Sequence, residues 1–448
     1  MVVNPARTSS PSLASPLSPA QRVDLRAAWA QRPMVLQGPF AGVFPPLDAG
    51  FAAAVAEADA FRGGKIDPTL RLFIEHDDLA RSHKLPPRYS SLMDFGAFLP
   101  AASDESFDGY VARVSRSLGG RRFGLFSGLT HIHDYGFWCG LRPFLRDLSD
   151  VVGLPLGGWQ FQMLVGNYRS TPFGIHKDEQ AVLTYVARRN KRFLLWPLDY
   201  FAHRRDLPVD IHHMEAVKWS LTFADPLEYQ RACEDAIVVD AREGDLVYWP
   251  ASYWHIAVSA SEEDSELPAI TMGWGAFVNA SPFAGLAGML LPAQAWPTTW
   301  GADGIRGGPQ RPPAFAAALF RNLATPARKA QARHVTLVSW LKRMSALGCI
   351  GVPAPRSTPM LVSQDVLRRC EDVPILWLRL PRNALAVAAN GHATVIRGGP
   401  ALLASATRTL EVLHAGERLE VRPLLERGGP DLIDLVRVLM SWRALRRS

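Results

Sequence analysis

The chain has 448 residues, 48% of them hydrophobic and 20% charged, with a net charge of +7. That length exceeds what one hydrophobic core usually supports, and the composition fits a globular protein with more than one domain. No apolar run approaches the roughly 18–20 residues needed to cross a bilayer. Four widely spaced cysteines without a CxxC pair argue against a disulfide framework or a structural zinc site, so a reducing cytoplasm is the expected location.

In chain order, residues 1–19 are rich in Ser, Pro and Ala and are expected to form a disordered leader. Ala20 to Gln31 reads as a helix and Arg32 to Gly38 as a first strand ended by glycine, followed by a mixed segment to Gly153. From Gly158 the texture becomes short strands. WQFQMLVGNYRS alternates and then turns, FGIHKDEQAVLTYVA reads as one longer strand, and KRFLLWPLDYF as another. Residues 202–235 are polar and show no clear period. AIVVDAREGDLVYWP reads as a hairpin, and YWHIAVSA and AITMGWGAF complete the set. Short strands with tight turns and no alternating helices predict an antiparallel barrel or jelly roll, mainly β, with flanking helices.

Near Pro292 the pattern changes again. Residues 312–347 read as helices broken at Pro326, and LAVAANGHATVIRG as a hairpin tipped by Asn390-Gly391, a pair that favours the type I′ turn. Helical stretches follow at about 401–413, 417–427 and 431–445, and a hairpin beside three short helices fits a winged-helix-like module. The expected division is 20–290 for the barrel, 291–350 for a helical connector that could dimerise the chain, and 351–448 for the winged-helix-like domain. Residues 301–448 carry a net charge of +12 and residues 1–300 a net charge of −5. Such asymmetry points to an anionic partner for the C-terminal part, nucleic acid among the candidates.

The sharpest feature is FGIHKDEQ. Strand side chains alternate between faces, so His176 and Asp178 point one way while Lys177 and Glu179 point the other. An imidazole and a carboxylate on adjacent same-face positions supply two metal ligands, and His255 in GDLVYWPASYWH offers a third. Two histidines and one carboxylate leave coordination positions open, the arrangement of non-haem Fe(II) oxygenases. Lys191 begins the next strand, 13 residues after Asp178, where a cation could hold the far carboxylate of a dicarboxylic co-substrate. The bland alternative places Lys191 in a solvated basic turn with Arg188, Arg189 and Arg192. A competing cluster, His131, His133 and Asp134, has same-face histidine spacing but no downstream strand-borne partner. His212 and His213 read as surface residues, and Trp249, Tyr253, Trp254 and Trp274 as pocket-lining or core aromatics.

HKDEQAVLTYVARRNKRFLLWP followed by GDLVYWPASYWH resembles the JmjC-type, cupin-like 2-oxoglutarate oxygenases, most nearly the asparaginyl hydroxylase that inhibits hypoxia-inducible factor. The resemblance covers roughly 30–285 and is dense at 171–197 and 243–256. It implies a double-stranded β-helix, with Fe(II) on His176, Asp178 and His255 and the far carboxylate of 2-oxoglutarate on Lys191. The pattern departs from the family at Val182 and Gly273, where that relative carries asparagines. Thr184 shares the inward parity of the triad and is the expected second co-substrate contact. In architecture, barrel, helices and winged-helix-like end resemble the ribosomal oxygenases, in which the helices dimerise the chain. The implied activity is hydroxylation of an amino-acid side chain in a protein or peptide. The alternatives are hydroxylation of a small molecule or free amino acid, a non-oxidative Zn or Mn cupin, and a silent barrel serving a binding module.

Overall fold

The computed structural model describes residues 16–39, 47–65, 69–75, 89–91, 95–155, 157–204, 209–215, 218–223, 225–261, 268–277, 326–427 and 429–448. Its contacts divide the chain into two compact units, one built on residues 14–280 with 300–304, the other on 1–13, 281–299 and 305–448.

The first unit is a pair of antiparallel sheets wrapped by helices. Its strands are β1 (Met34–Leu36), β2 (Arg71–Glu75), β3 (Tyr89–Ser91), β4 (Phe123–Ser127), β5 (Gly158–Gly166), β6 (His176–Asp178) and β7 (Gln180–Arg188). Then come β8 (Lys191–Pro197), β9 (Val209–Glu215), β10 (Lys218–Phe223), β11 (Ile237–Ala241), β12 (Leu246–Trp249), β13 (Tyr253–Ser259) and β14 (Ala269–Phe277). One sheet runs β1-β12-β7-β14-β5-β4-β2-β3 and the other β11-β8-β13-β6-β10-β9.

Alternation along each strand builds three apolar layers. Between the sheets, Val182, Val247 and Trp249 from the first meet Phe193, Leu195 and Ala257 from the second. On the outer face of the larger sheet, Trp274 packs on Phe144 with ring centroids 4.6 Å apart, and Tyr248 stacks on Trp29 at 4.9 Å. Trp196, Trp254, Ile256 and Leu221 form the outer core of the smaller sheet, closed by Phe201 and Tyr229. Fully burying each such large side chain contributes about 1.5–3 kcal/mol. The helices start where the sequence caps them. Ser18 accepts from the Gln21 backbone N–H ahead of the helix Pro19–Ala28, and Asp134 does the same for Phe137 ahead of Tyr135–Val152.

Several expectations need correction. FGIHKDEQAVLTYVA is not one strand. The chain changes sheets at Glu179, so β6 belongs to the smaller sheet and β7 to the larger. AIVVDAREGDLVYWP is likewise no hairpin, because β11 pairs with β8 while β12 pairs with β7 and β1. Residues 202–235 hold the antiparallel pair β9–β10 and a helix, Pro226–Glu234, started by an Asp225–Glu228 capping box. The expected leader falls outside the described residues up to 15. Its last residues are ordered, with Leu17 buried and its N–H donating to Asp147.

In the second unit, the helix Pro326–Ser345 begins at the proline expected to break it, and residues 291–325 of the expected connector lie outside the described residues. Strands β15 (Val366–Arg369), β16 (Ile375–Leu380), β17 (Ala384–Ala389), β18 (His392–Arg397), β19 (Leu419–Glu420) and β20 (Leu445–Arg447) form two three-stranded sheets, β16-β17-β18 and β19-β15-β20. Asn390 and Gly391 link β17 to β18 with φ of 52° and 78°, the paired positive values of a type I′ turn. Helices Pro400–His414, Val421–Arg427 and Gly429–Ser441 follow, the last burying Leu432, Leu435, Val436 and Leu439. Burial pushes the Cys349 thiol up to about 12. No helix among the described residues is long and apolar enough to cross a membrane.

Candidate active site

β6 brings His176 and Asp178 to the inner face of the smaller sheet, and β13 lies beside it with His255 directly opposite His176. The two imidazoles are 4.1 Å apart between centroids, and His255 Nε2 is 3.6 Å from an Asp178 oxygen. All three residues are buried. One ligand atom from each lies within 4.8 Å of the others, and this is the one such group of His, Cys, Asp or Glu among the described residues.

The ring orientations follow from the local backbone. Gly174, with a φ of 65°, turns the chain ahead of β6, and its carbonyl lies 2.9 Å from His176 Nδ1. The Tyr253 carbonyl lies 3.4 Å from His255 Nδ1. With Nδ1–H donating to a carbonyl, each ring keeps Nε2 as its acceptor nitrogen for a metal, and that of His255 lies on the Asp178 side. This donor set fits one divalent cation. Ligand bonds of about 2.0–2.2 Å span nearly the separation seen here, and three protein ligands leave positions open.

Lys191 has the inward parity of Phe193 and Leu195 on β8, and it is 1% exposed. Its Nζ lies 4.0 Å from the centroid of the Tyr168 ring, a cation–π contact. Tyr168 is itself buried, its hydroxyl hydrogen-bonded to Thr271, and burial raises its pKa. The solvated-turn reading of Lys191 therefore does not hold. Thr184 faces the same interior from β7, paired with Val247 on one side and Gly273 on the other.

A pocket is lined by the triad, Thr184, Tyr168, Thr271, Val182, Gly273 and Trp249 among others, and it reaches the Lys191 ammonium through Tyr168. Phe126, Phe173 and Phe193 supply much of its apolar wall. A roomier cleft bordered by Asp108, Arg116 and Arg188 contains none of the candidate metal ligands or co-substrate contacts.

Sequence reasoning missed Tyr168, Thr271 and an amide ladder. Gln162 Nε2 donates to Gln180 Oε1 at 2.8 Å, and Gln180 Nε2 donates to Gln160 Oε1 at 2.9 Å. These side chains reach across β14 because Gly275 leaves the space open; a Cβ there would fall 1.7 Å from Gln180 Oε1. The inward parity of Gln160 and Gln162 was readable, but the strand they reach across was not.

The competing cluster does not assemble. His131 sits fully buried beside Trp138 and Phe161, while Asp134 caps a helix. His212 and His213 lie on β9 rather than in an irregular insertion. Trp254 and Trp274 are outer-face core, which leaves Trp249 as the tryptophan of the four aromatics that lines the pocket.

No protein-family model matches the chain, and no curated protein sequence does. Solved structures do. YcfD of Escherichia coli is similar at 16% identity and a TM-score of 0.46, over 95% of this chain and 98% of that one. A second structure of YcfD, described as a ribosomal oxygenase in complex with cobalt and 2-oxoglutarate, is similar at 15% identity and a TM-score of 0.46, with the same coverage. Likeness at this level leaves the chemistry to be argued from the residues.

Proposed function

We propose that the chain is an Fe(II)- and 2-oxoglutarate-dependent dioxygenase that hydroxylates an amino-acid side chain within a protein or peptide. The observation that carries this reading is the convergence of His176, Asp178 and His255 in one pocket that also reaches Tyr168, on whose ring the Lys191 ammonium lies. The strand order supports a double-stranded β-helix. Counting β5 to β8 and β11 to β14 as eight core strands, the sheets interleave as 6-3-8-1 and 5-4-7-2. We read the C-terminal unit as winged-helix-like, a partner-docking module and the source of a homodimer.

Ferrous iron with 2-oxoglutarate and O₂ supplies oxidative decarboxylation to succinate and CO₂, with one oxygen atom delivered to a substrate C–H bond. The chain's own residues bind, orient and exclude water. His176, Asp178 and His255 would hold the iron on one side, with the Gly174 and Tyr253 carbonyls fixing the ring tautomers. Lys191 would pair with the far carboxylate of 2-oxoglutarate, and Tyr168, Thr271 and Thr184 would complete that end of the site. Phe126, Phe173 and Phe193 line the same pocket and would help exclude water from it, which would strengthen each of those charged contacts.

The same triad would suit a catalytic zinc ion. A buried ammonium beside the metal pocket favours the dicarboxylate-dependent reading, because a non-oxidative cupin has no second carboxylate to hold. The test is anaerobic loading with Fe(II) followed by 2-oxoglutarate and air. Succinate formation, and a one-oxygen mass gain in candidate peptides, are the expected results. A protein that binds the metal yet never produces succinate under any substrate would refute the proposal.

A further inference from the structure

Trp249 presents a buried hydrogen-bond donor that the protein itself does not use. The residue is 3% exposed, and its Nε1–H has no hydrogen-bond partner among the described residues. Leaving a buried donor unsatisfied is unfavourable, and such groups are rare in native interiors. The side chain is firmly placed. Its ring lies 4.8 Å from the His255 ring and 5.4 Å from Phe193, and it lines the pocket that contains the triad.

The register positions level with it across the larger sheet offer nothing polar in its place. Val182 is the residue directly opposite Trp249 across β12 and β7, and Gly275 follows on β14. Gly273, beside Thr184, is also without a polar side chain, and a Cβ there would press on the Leu183 carbonyl at 2.8 Å. Level with Trp249, the strands beside it therefore carry no polar side chain, and the indole N–H is the donor that β12 presents near His255.

We infer that Trp249 Nε1–H is a positioning donor for an oxygen of the metal-chelating keto-acid end of the co-substrate, a role distinct from that of Lys191 at the far end. The inference rests on the reading of the site as a 2-oxoglutarate site. An incoming carboxylate or keto oxygen would satisfy the orphaned donor in a dry pocket, where a charge-assisted hydrogen bond is strongest.

Trp249→Phe removes the N–H and keeps a ring of similar shape against His255 and Phe193. Wild type and variant would be loaded with Fe(II) under anaerobic conditions and titrated with 2-oxoglutarate and with 2-oxobutyrate, which lacks the far carboxylate. The readouts are the dissociation constant and the visible charge-transfer absorption of the keto-acid chelate. The variant is expected to bind both acids about tenfold to a hundredfold more weakly, by a similar factor, with a shifted absorption band. Circular dichroism and Fe(II) affinity should match wild type. Adding Val182→Asn to Trp249→Phe places a new amide donor at the opposing register position and should recover part of the affinity. Unchanged affinity and absorption in the variant would overturn the inference while leaving the proposed function standing. Weakening confined to 2-oxoglutarate would also overturn it, because the donor would then serve the far end. Failure of the wild type to bind either acid would sink both.

Discussion

Replacing Lys191 by methionine separates the co-substrate reading from a purely structural one. The side chain is 1% exposed, and its ammonium lies against the ring of Tyr168 at 4.0 Å. A carboxylate about 4 Å from such an ammonium is attracted by roughly 4 kcal/mol at an effective dielectric constant of about 20. Losing one member of a close charge pair costs about 2–5 kcal/mol in practice. At about 1.4 kcal/mol per factor of ten, the middle of that range weakens 2-oxoglutarate binding a few hundred-fold. The stability effect has the opposite sign. Methionine fills a similar volume without a buried charge, so the ligand-free variant should melt at the same temperature or higher. Calorimetric titration of the metal-loaded variant with 2-oxoglutarate gives the first quantity, and thermal unfolding of the ligand-free protein the second. A dissociation constant within about threefold of wild type would refute the reasoning, whatever the melting temperature does.

His176→Ala or His255→Ala should abolish succinate formation and tight Fe(II) binding while circular dichroism stays unchanged; normal turnover in either variant would disprove the triad. Gly275→Ala places a Cβ on Gln180 Oε1 and should break the amide ladder, costing about 1–3 kcal/mol in denaturant unfolding. Gly391→Ala meets Val352 at 2.5 Å with a φ of 78°, so it should destabilise the C-terminal unit by at least about 1 kcal/mol, read as an earlier unfolding transition. The intact chain should sediment as a homodimer at micromolar concentration; a clean monomer would dispose of the dimerising connector.

The metal-binding reading was legible in the sequence because it depends on short-range regularities. Strand parity puts His176 and Asp178 on one face whatever their neighbours are, and the Gly-Asp turn followed by a strand delivers His255. The Asn390-Gly391 turn was readable for the same reason, since its backbone requirement is local. Strand partners are a different matter. The same local pattern fits a single long strand from Phe173 to Ala187 or two strands in different sheets, and only long-range pairing decides between them. That decision changes the site. β6 facing β13 sets His176 against His255, whereas β7 facing β12 sets Val182 against Trp249. Tyr168 under Lys191, and the glutamines meeting over Gly275, likewise come from segments that nothing in the sequence joins. His131 is the converse case, a metal-like spacing that burial beside Trp138 and Phe161 turns into core. Which side chains could hold a metal was therefore readable from strand parity. Tertiary structure alone decided what surrounds them, because side-chain parity is a property of one strand and a pocket is a property of several.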